Sequence, residues 1–294
     1  MINIIKNILN YKWHISDIIT TAILVIFISI ILSSSINFPY EWNWSTTLGY
    51  IGYIDEETGD YKIGLFLIGL LNTFRLFFIS MFIGITFGLL FAIFRISNNH
   101  GLNLLGIVYI NFVRNIPPLV FLFVFYFFIS EQIFPKIGLT PELFENFAVL
   151  GWLFGEGVYG ANLISAGICL GLFESVFFAE IIRGAIKSIP IGQSEASLAL
   201  GLNYLQTMRK IIIPQAFSKC YPSLAGQSII ALKNTSIASL ISVKDLVFSG
   251  VEVVTSTRNI FEAWIIVAVI YFILCFTMTK FFNYCEKKIE SKSI

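Results

Sequence analysis

Residues 187–217 read KSIPIGQSEASLALGLNYLQTMRKIIIPQAF. The stretch is too polar to cross a bilayer, yet it is patterned as ordered helix between long apolar runs. Pro190 and Ser194 favour a helix start, and Glu195 to Leu200 is a run of good helix formers. Gly201 can take the left-handed conformation that ends a helix, and it allows a close turn where a side chain would collide. Asn203 can cap a second helix, with Gln206 three residues on completing a capping box. Pro214 then ends or kinks that helix. The pattern predicts two short helices at a sharp angle on one face of a membrane. On chemistry alone, an amphipathic hairpin resting on lipid fits the same residues.

The rest of the chain supplies the membrane. Of 294 residues, 56% are hydrophobic and 13% charged, and the mean hydropathy is +0.81. A soluble domain carries about a quarter charged residues. Too little polar surface is present to coat a soluble globule, so the expected solvent is lipid. This excludes a cytoplasmic enzyme and a secreted disulfide scaffold. A net charge of +1 gives no basic field for nucleic acid. Cys169, Cys220, Cys275 and Cys285 form no CxxC pair, and neither His14 nor His100 stands near one, so no metal site is expected. No Walker-type phosphate loop occurs, nor any catalytic signature of the HExxH or GxSxG kind. No catalytic residue is assigned.

A bilayer core of about 30 Å needs roughly 20 apolar residues in a helix. Six stretches qualify: 17–36, 64–94, 107–128, 162–182, 218–241 and 260–283. The third can begin as an interfacial segment before Pro117 and Pro118, since proline breaks or kinks a helix. Lysine and arginine gather at the amino end (Lys6, Lys12), the second loop (Arg95, Arg114), the fourth (Arg183, Lys187, Arg209, Lys210, Lys219) and the tail (Lys280, Lys287, Lys288, Lys292). The first loop is acidic, with Glu41, Asp55, Glu56, Glu57 and Asp60 against Lys62, and the third has only Lys136. Lys244 and Arg258 in the fifth loop run against the pattern. Both termini are therefore expected inside. Trp42, Trp44, Tyr50 and Tyr53 fall where an outer aromatic belt belongs. Lys6, Lys12 and the following apolar run also fit a signal peptide; an uncleaved first helix keeps the same topology. The expected fold class is all-α, a polytopic membrane protein of six transmembrane helices with both termini cytoplasmic.

The order Glu195-Ala196-Ser197, three residues, Gly201, nine residues, then Ile211, Ile213 and Pro214 resembles the EAA loop of ABC importer permeases. Ser197 stands for the usual second alanine and Ile213 for the usual leucine. Four further stretches resemble the polar amino-acid branch of that family: Asn72-Thr73-Phe74-Arg75, Val113-Arg114-Asn115-Ile116-Pro117, Ala179-Glu180-Ile181-Ile182-Arg183-Gly184 and Lys233-Asn234-Thr235-Ser236. Asn115 and Ile116 depart from the usual Arg-Gly-Thr-Pro element. The resemblance covers 66–284. It implies one permease domain over 64–284, with 17–36 as an added amino-terminal helix and the coupling loop at 187–217 between spans four and five.

The resemblance further implies that Glu195, Ala196, Ser197, Gly201, Ile211 and Pro214 couple the chain to an ATPase dimer. That partner binds ATP-Mg, so this chain holds no cofactor of its own. A second permease subunit, identical or paralogous, and an extracytoplasmic amino-acid-binding protein complete the importer, in the inner membrane of a bacterium. Arg209 and Lys210 serve either the ATPase or the inner membrane surface. Lys233, Asn234, Thr235 and Ser236 fall near the substrate path by the same resemblance. Glu174, and Arg75 in the second span, join them on physical grounds. A charge in mid-membrane costs about 2.5–3.5 kcal/mol or more, so such residues face a cavity or a partner. Glu174 and Lys233 lie at compatible depths with opposite sign; they read as a buried ion pair or as contacts for a zwitterion. Glu180 and Arg183, three apart, read as an intrahelical pair. A secondary transporter or channel for small polar solutes is the alternative. It has no use for a two-helix lever with this spacing.

Overall fold

The computed structural model describes residues 14–36, 40–55, 59–155 and 157–291. Lys6, Lys12, Glu56, Glu57 and Lys292 lie outside the described residues. The chain divides into two units, Met1–Trp42 and Asn43–Ile294. The first carries α1 (Ile15–Ile36), an apolar helix whose first turn holds Asp17. The hydroxyls of Thr20 and Thr21 donate to carbonyls one turn back, so they add no unsatisfied polar group to an apolar helix.

The second unit opens with α2 (Trp44–Leu48) and an antiparallel hairpin, β1 (Gly52–Ile54) against β2 (Tyr61–Ile63), with Tyr53 opposite Lys62. The chain is otherwise helical, in keeping with the expected class, and this hairpin is a small addition to it. An ion pair between Lys62 and Asp55 ties its arms near the turn. There follow α3 (Leu65–Ile96), α4 (His100–Arg114) and α5 (Pro118–Val124). A π turn at Phe125–Ser130, α6 (Glu131–Ile133) and a 3₁₀ turn at Phe134–Ile137 prolong α5. Short helices α7 (Pro141–Asn146) and α8 (Ala148–Phe154) lead to α9 (Gly157–Lys187). The polar stretch gives α10 (Ile191–Ala199) and α11 (Tyr204–Thr207), then a π turn at Met208–Ile212. Last come α12 (Ile213–Asn234), a 3₁₀ turn at Thr235–Ile241, α13 (Leu246–Thr257) and α14 (Ile260–Glu290).

Among the described residues four lengths are long and apolar enough to cross a membrane: Leu65–Ile96, Pro118–Ile137, Gly157–Lys187 and Ile260–Ile289. Ile15–Ile30 and Leu246–Thr257 are shorter apolar helices. The third expected span, 107–128, is corrected. Pro117 and Pro118 cannot donate to a helical ladder, so α4 stops at Arg114 and a new helix starts at Pro118. The fifth, 218–241, is divided between α12 and the 3₁₀ turn. The sequence pattern gave no warning of α13, whose 12 residues are too few to span.

α9 is the centre of the unit, far more of its length buried than that of α3 or α14. It meets α3 through paired glycines four apart, Gly84 and Gly88 on one helix and Gly167 and Gly171 on the other. A Cβ on Gly171 would stand 2.5 Å from Ile83 Cβ, and one on Gly88 2.7 Å from Phe178 Cβ. Small residues at that spacing let two backbones approach where lipid offers no hydrophobic push. Around this seam pack Leu76, Leu122, Phe125, Leu163 and Leu170. A second cluster joins Phe66, Leu246, Val253, Ala263 and Val267. Asn43 N donates to the buried Glu262 on α14 (2.6 Å), and Asn259 donates to Asn43 O and Thr47 Oγ1. These bonds hold α2 against the start of α14.

Candidate coupling element and buried polar site

The stretch 187–217 builds a stiff projection from local rules. Pro190 is the residue before α10, and its ring pre-sets the first turn. Ser197 is buried and donates to Gln193 O at 2.6 Å. The helix ends in a paired closure: Gly201 N donates to Leu198 O and Leu202 N to Ser197 O. Gly201 has φ +81°, and a Cβ there would meet nothing within 4 Å. The expected collision is therefore corrected: glycine is required by backbone conformation, not by space. Asn203 and Gln206 form the capping box, each bond 2.9 Å. The helix then widens into the π turn, where Ile213 N bonds Met208 O. Pro214, which can donate to no carbonyl behind it, stands one residue beyond.

The projection is rooted and its tip is bare. Ala185, Ile189, Ile212, Ala216 and Cys220 form a buried cluster with Ile211 and Met208 packed on it. Leu200 is 83% and Leu205 76% exposed, with Leu198 and Tyr204 beside them in sequence also exposed. Glu195 and Ala196 are exposed; Pro214 is exposed and Ile211 half-buried. Apolar side chains so displayed on a polar helix pair mark a surface that another body covers.

Glu174 lies inside the bundle, 1% exposed. Gln227 Nε2 and Asn234 Nδ2 donate to its two oxygens, each at 2.6 Å. The two amides are seven residues apart on α12, two turns, so they share a face. Gln227 was not singled out from the sequence; its spacing from Asn234 was the available signal. Two neutral amides satisfy both oxygens of Glu174, which makes this carboxyl group the polar focus of that part of the bundle.

The expected Glu174–Lys233 ion pair is corrected. Among the described residues Lys233 makes no ion pair, and its side chain is exposed. Adjacent helical residues point about 100° apart, so Lys233 cannot share the face that Asn234 turns to Glu174. Lys233 and Ser236 instead line a cavity of about 460 Å³ with Val247, Tyr271 and Phe272. Thr235 and Ser236 donate to Leu232 O and Lys233 O, closing the end of α12. Arg75 donates to Asn72 Oδ1 at 2.8 Å, and Asn72 donates to Lys244 O, well away in the chain from Glu174's partners. The Glu180–Arg183 pair forms as expected, with Arg183 donating to both carboxylate oxygens.

A bundle of apolar helices carrying a rigid projection and a buried carboxylate defines a membrane transport subunit. The chain belongs to the family of binding-protein-dependent transport system inner membrane components, which matches residues 84–291. It is a multi-pass inner-membrane permease of an ABC importer and not an enzyme, ATP hydrolysis in such importers being the work of a separate ATPase. The secondary-carrier alternative falls with that membership. The probable glutamine ABC transporter permease protein GlnM of Bacillus subtilis (strain 168) is 34% identical over 203 residues, 69% of this chain and 83% of its own length. The probable amino-acid ABC transporter permease protein YckA of the same organism is 34% identical over 255 residues, 87% of this chain and 97% of its own length. A crystal structure of an amino acid ABC transporter with histidines superposes with a TM-score of 0.61 at 29% identity, covering 76% of this chain and 94% of that one. The MetNI methionine ABC transporter shares the fold, with a TM-score of 0.56 at 18% identity.

Proposed function

We propose that this chain carries a polar amino acid across a bacterial cytoplasmic membrane, driven by an ATPase dimer that grips α10 and α11. The bare apolar tip around Leu200 and Leu205 carries this reading. It is rooted in a packed cluster and stiffened by a capping box, so a push at the tip reaches α9 and α12 together. Glu195, Ala196, Ser197, Gly201, Ile211 and Pro214 form this docking element, with ATP-Mg held by the partner. With both termini cytoplasmic, as the distribution of lysine and arginine suggests, the element faces the ATPase side. An extracytoplasmic binding protein delivers the substrate, and a second permease, identical or paralogous, completes the pore. Alternating access then follows as rigid-body tilting of the helix bundles.

Within the bundle, Glu174 offers its charge to the substrate's ammonium, with Gln227 and Asn234 presenting it. Lys233, Thr235, Ser236 and Arg75 belong to the path as well, Lys233 and Ser236 at a cavity apart from Glu174. A cysteine in place of Leu200 tests the docking: it is expected to crosslink to the ATPase in the assembled importer and to lose that crosslink when ATPase is withheld. Reaction with lipid-borne probes alone would overturn it.

A further inference from the structure

The segment ahead of α3 closes round a hollow of about 470 Å³. Its walls are Thr46 in α2 and Tyr50 just after it, Tyr53 and Ile63 on the hairpin, and Leu65 and Ile68 at the head of α3. Backbone bonds fix these walls to one another. Phe66 N, a first-turn donor that α3 cannot satisfy by itself, donates to Tyr50 O at 3.1 Å, and Gly64 N donates to Ile51 O at 3.0 Å. On the far side of α2, the buried Thr47 accepts from Asn259 at the start of α14 at 3.0 Å.

The hairpin is bare on both faces. Tyr53 stands opposite Lys62 and Ile54 opposite Tyr61, so alternation turns Tyr53 to one side and Ile54 to the other. Tyr53, Ile54, Tyr61 and Ile63 are all exposed. A two-stranded hairpin alone in water is marginal. A docked protein covers one face of such a ribbon; apolar and aromatic side chains on both faces fit the boundary between lipid and water. The hollow is also continuous with the lipid-facing surface. α3 is long and apolar enough to cross a membrane, so its first turn lies at a membrane surface. Ile68, on the wall of the hollow, begins a row of exposed apolar side chains on one face of α3 that runs on through Leu71, Phe78 and Phe82. An acyl chain laid along that row ends in the hollow.

Charge selects the headgroup. Lys62, the base of the hairpin, is engaged by Asp55. Residues 55–60 hold Asp55, Glu56, Glu57 and Asp60 and no base. Such a surplus of carboxylates repels a purely anionic headgroup and attracts an ammonium.

We propose that the hollow binds a phospholipid with an ammonium headgroup, one acyl chain entering beside Tyr53, Ile63 and Ile68 and the ammonium lying toward the acidic turn of the hairpin. The leaflet follows from the orientation proposed above; the site itself does not depend on it.

The test uses the full chain in nanodiscs of phosphatidylcholine with either phosphatidylethanolamine or phosphatidylglycerol. Native mass spectra are expected to show phosphatidylethanolamine retained about fivefold more strongly than phosphatidylglycerol, one charge near a headgroup being worth about 1 kcal/mol. Ile63→Ser is expected to retain phosphatidylethanolamine about tenfold more weakly, the worth of one apolar side chain returned to a polar one, with the helix content of wild type. Ile63→Cys identifies the occupant. It is expected to react faster with a lipid-borne maleimide than with a charged, water-soluble one, each cysteine being resolved by peptide mass. Leu200→Cys, on the bare tip of the projection, is expected to show the opposite preference. Reaction of Ile63→Cys with the water-soluble reagent alone overturns the lipid site, and reaction with neither overturns it in favour of a protein body filling the hollow. Equal retention of phosphatidylethanolamine by wild type and Ile63→Ser also overturns the site, and equal retention of the two lipids by wild type overturns the choice of headgroup. None of these measurements uses transport, so failed uptake of amino acids would sink the proposed function and leave the lipid site intact.

Discussion

At the scale of single residues, the firmest consequence concerns Glu174. Glu174→Gln places an amide donor against the amides of Gln227 and Asn234, and removes the charge they present. Uptake of labelled amino acid is expected to fall about ten- to a hundredfold, the worth of a charged hydrogen bond, while the importer still assembles on a sizing column. Because Lys233 faces elsewhere, the double exchange Glu174→Lys with Lys233→Glu is not expected to restore uptake; recovery would show that the two groups meet after all. Gly201 makes a different demand. Its φ of +81° disfavours any Cβ, so Gly201→Ala is expected to cost about 1 kcal/mol in the projection, and Gly201→Asn less, since asparagine visits that region readily. Hydrogen exchange at α10 and α11, compared across the two variants, reads that difference; equal protection would rule it out. The sequence revealed the glycine but not its reason, because a motif records residue type and not the angle that selects it.

At the scale of elements, legibility followed period and punctuation. α1, α3, α9 and α14 stand within a few residues of where apolar length put them, apart from longer ends on α9 and a longer carboxyl end on α14. The capping box at Asn203 and Gln206 was readable because three residues and two side-chain types suffice to make it. The β-hairpin was not, since strands of three residues carry too little alternation to stand out. Nor was the Glu174 partnership: it pairs residues 53 and 60 apart in sequence, and single-chain periodicity is silent on which helices touch. The α3–α9 seam was equally hidden, although its glycines were in plain view. Gly171→Leu is expected to force those helices apart and lower stability by about 1–3 kcal/mol, read as a lower unfolding temperature in detergent. An unchanged unfolding temperature would mean that the seam opens at little cost.

At the scale of the whole molecule, the reading of function depends on which side the projection faces. A reporter that works only in the cytoplasm is expected to be active when fused after Ser291 and silent when inserted at Gly59, in the hairpin turn. The opposite result would turn α10 and α11 away from ATP and end the importer reading for this chain's orientation. Between that projection and α12 lies the π turn at Met208–Ile212, a place where the winding accommodates one residue more than an α-helix would. The aim of the lever is consequently set by a head count. Remove Lys210 and the winding can close to ordinary pitch, swinging everything before it by about 100° around the axis of α12. Crosslinks from Leu200 to the ATPase should then vanish and reappear from a neighbouring position on α10, with the contacts of Ala185 and Ile189 on Ile212 and Ala216 repacked. The surplus residue works like the phase setting of a cam: it adds nothing to strength and fixes when, and against what, the stroke lands.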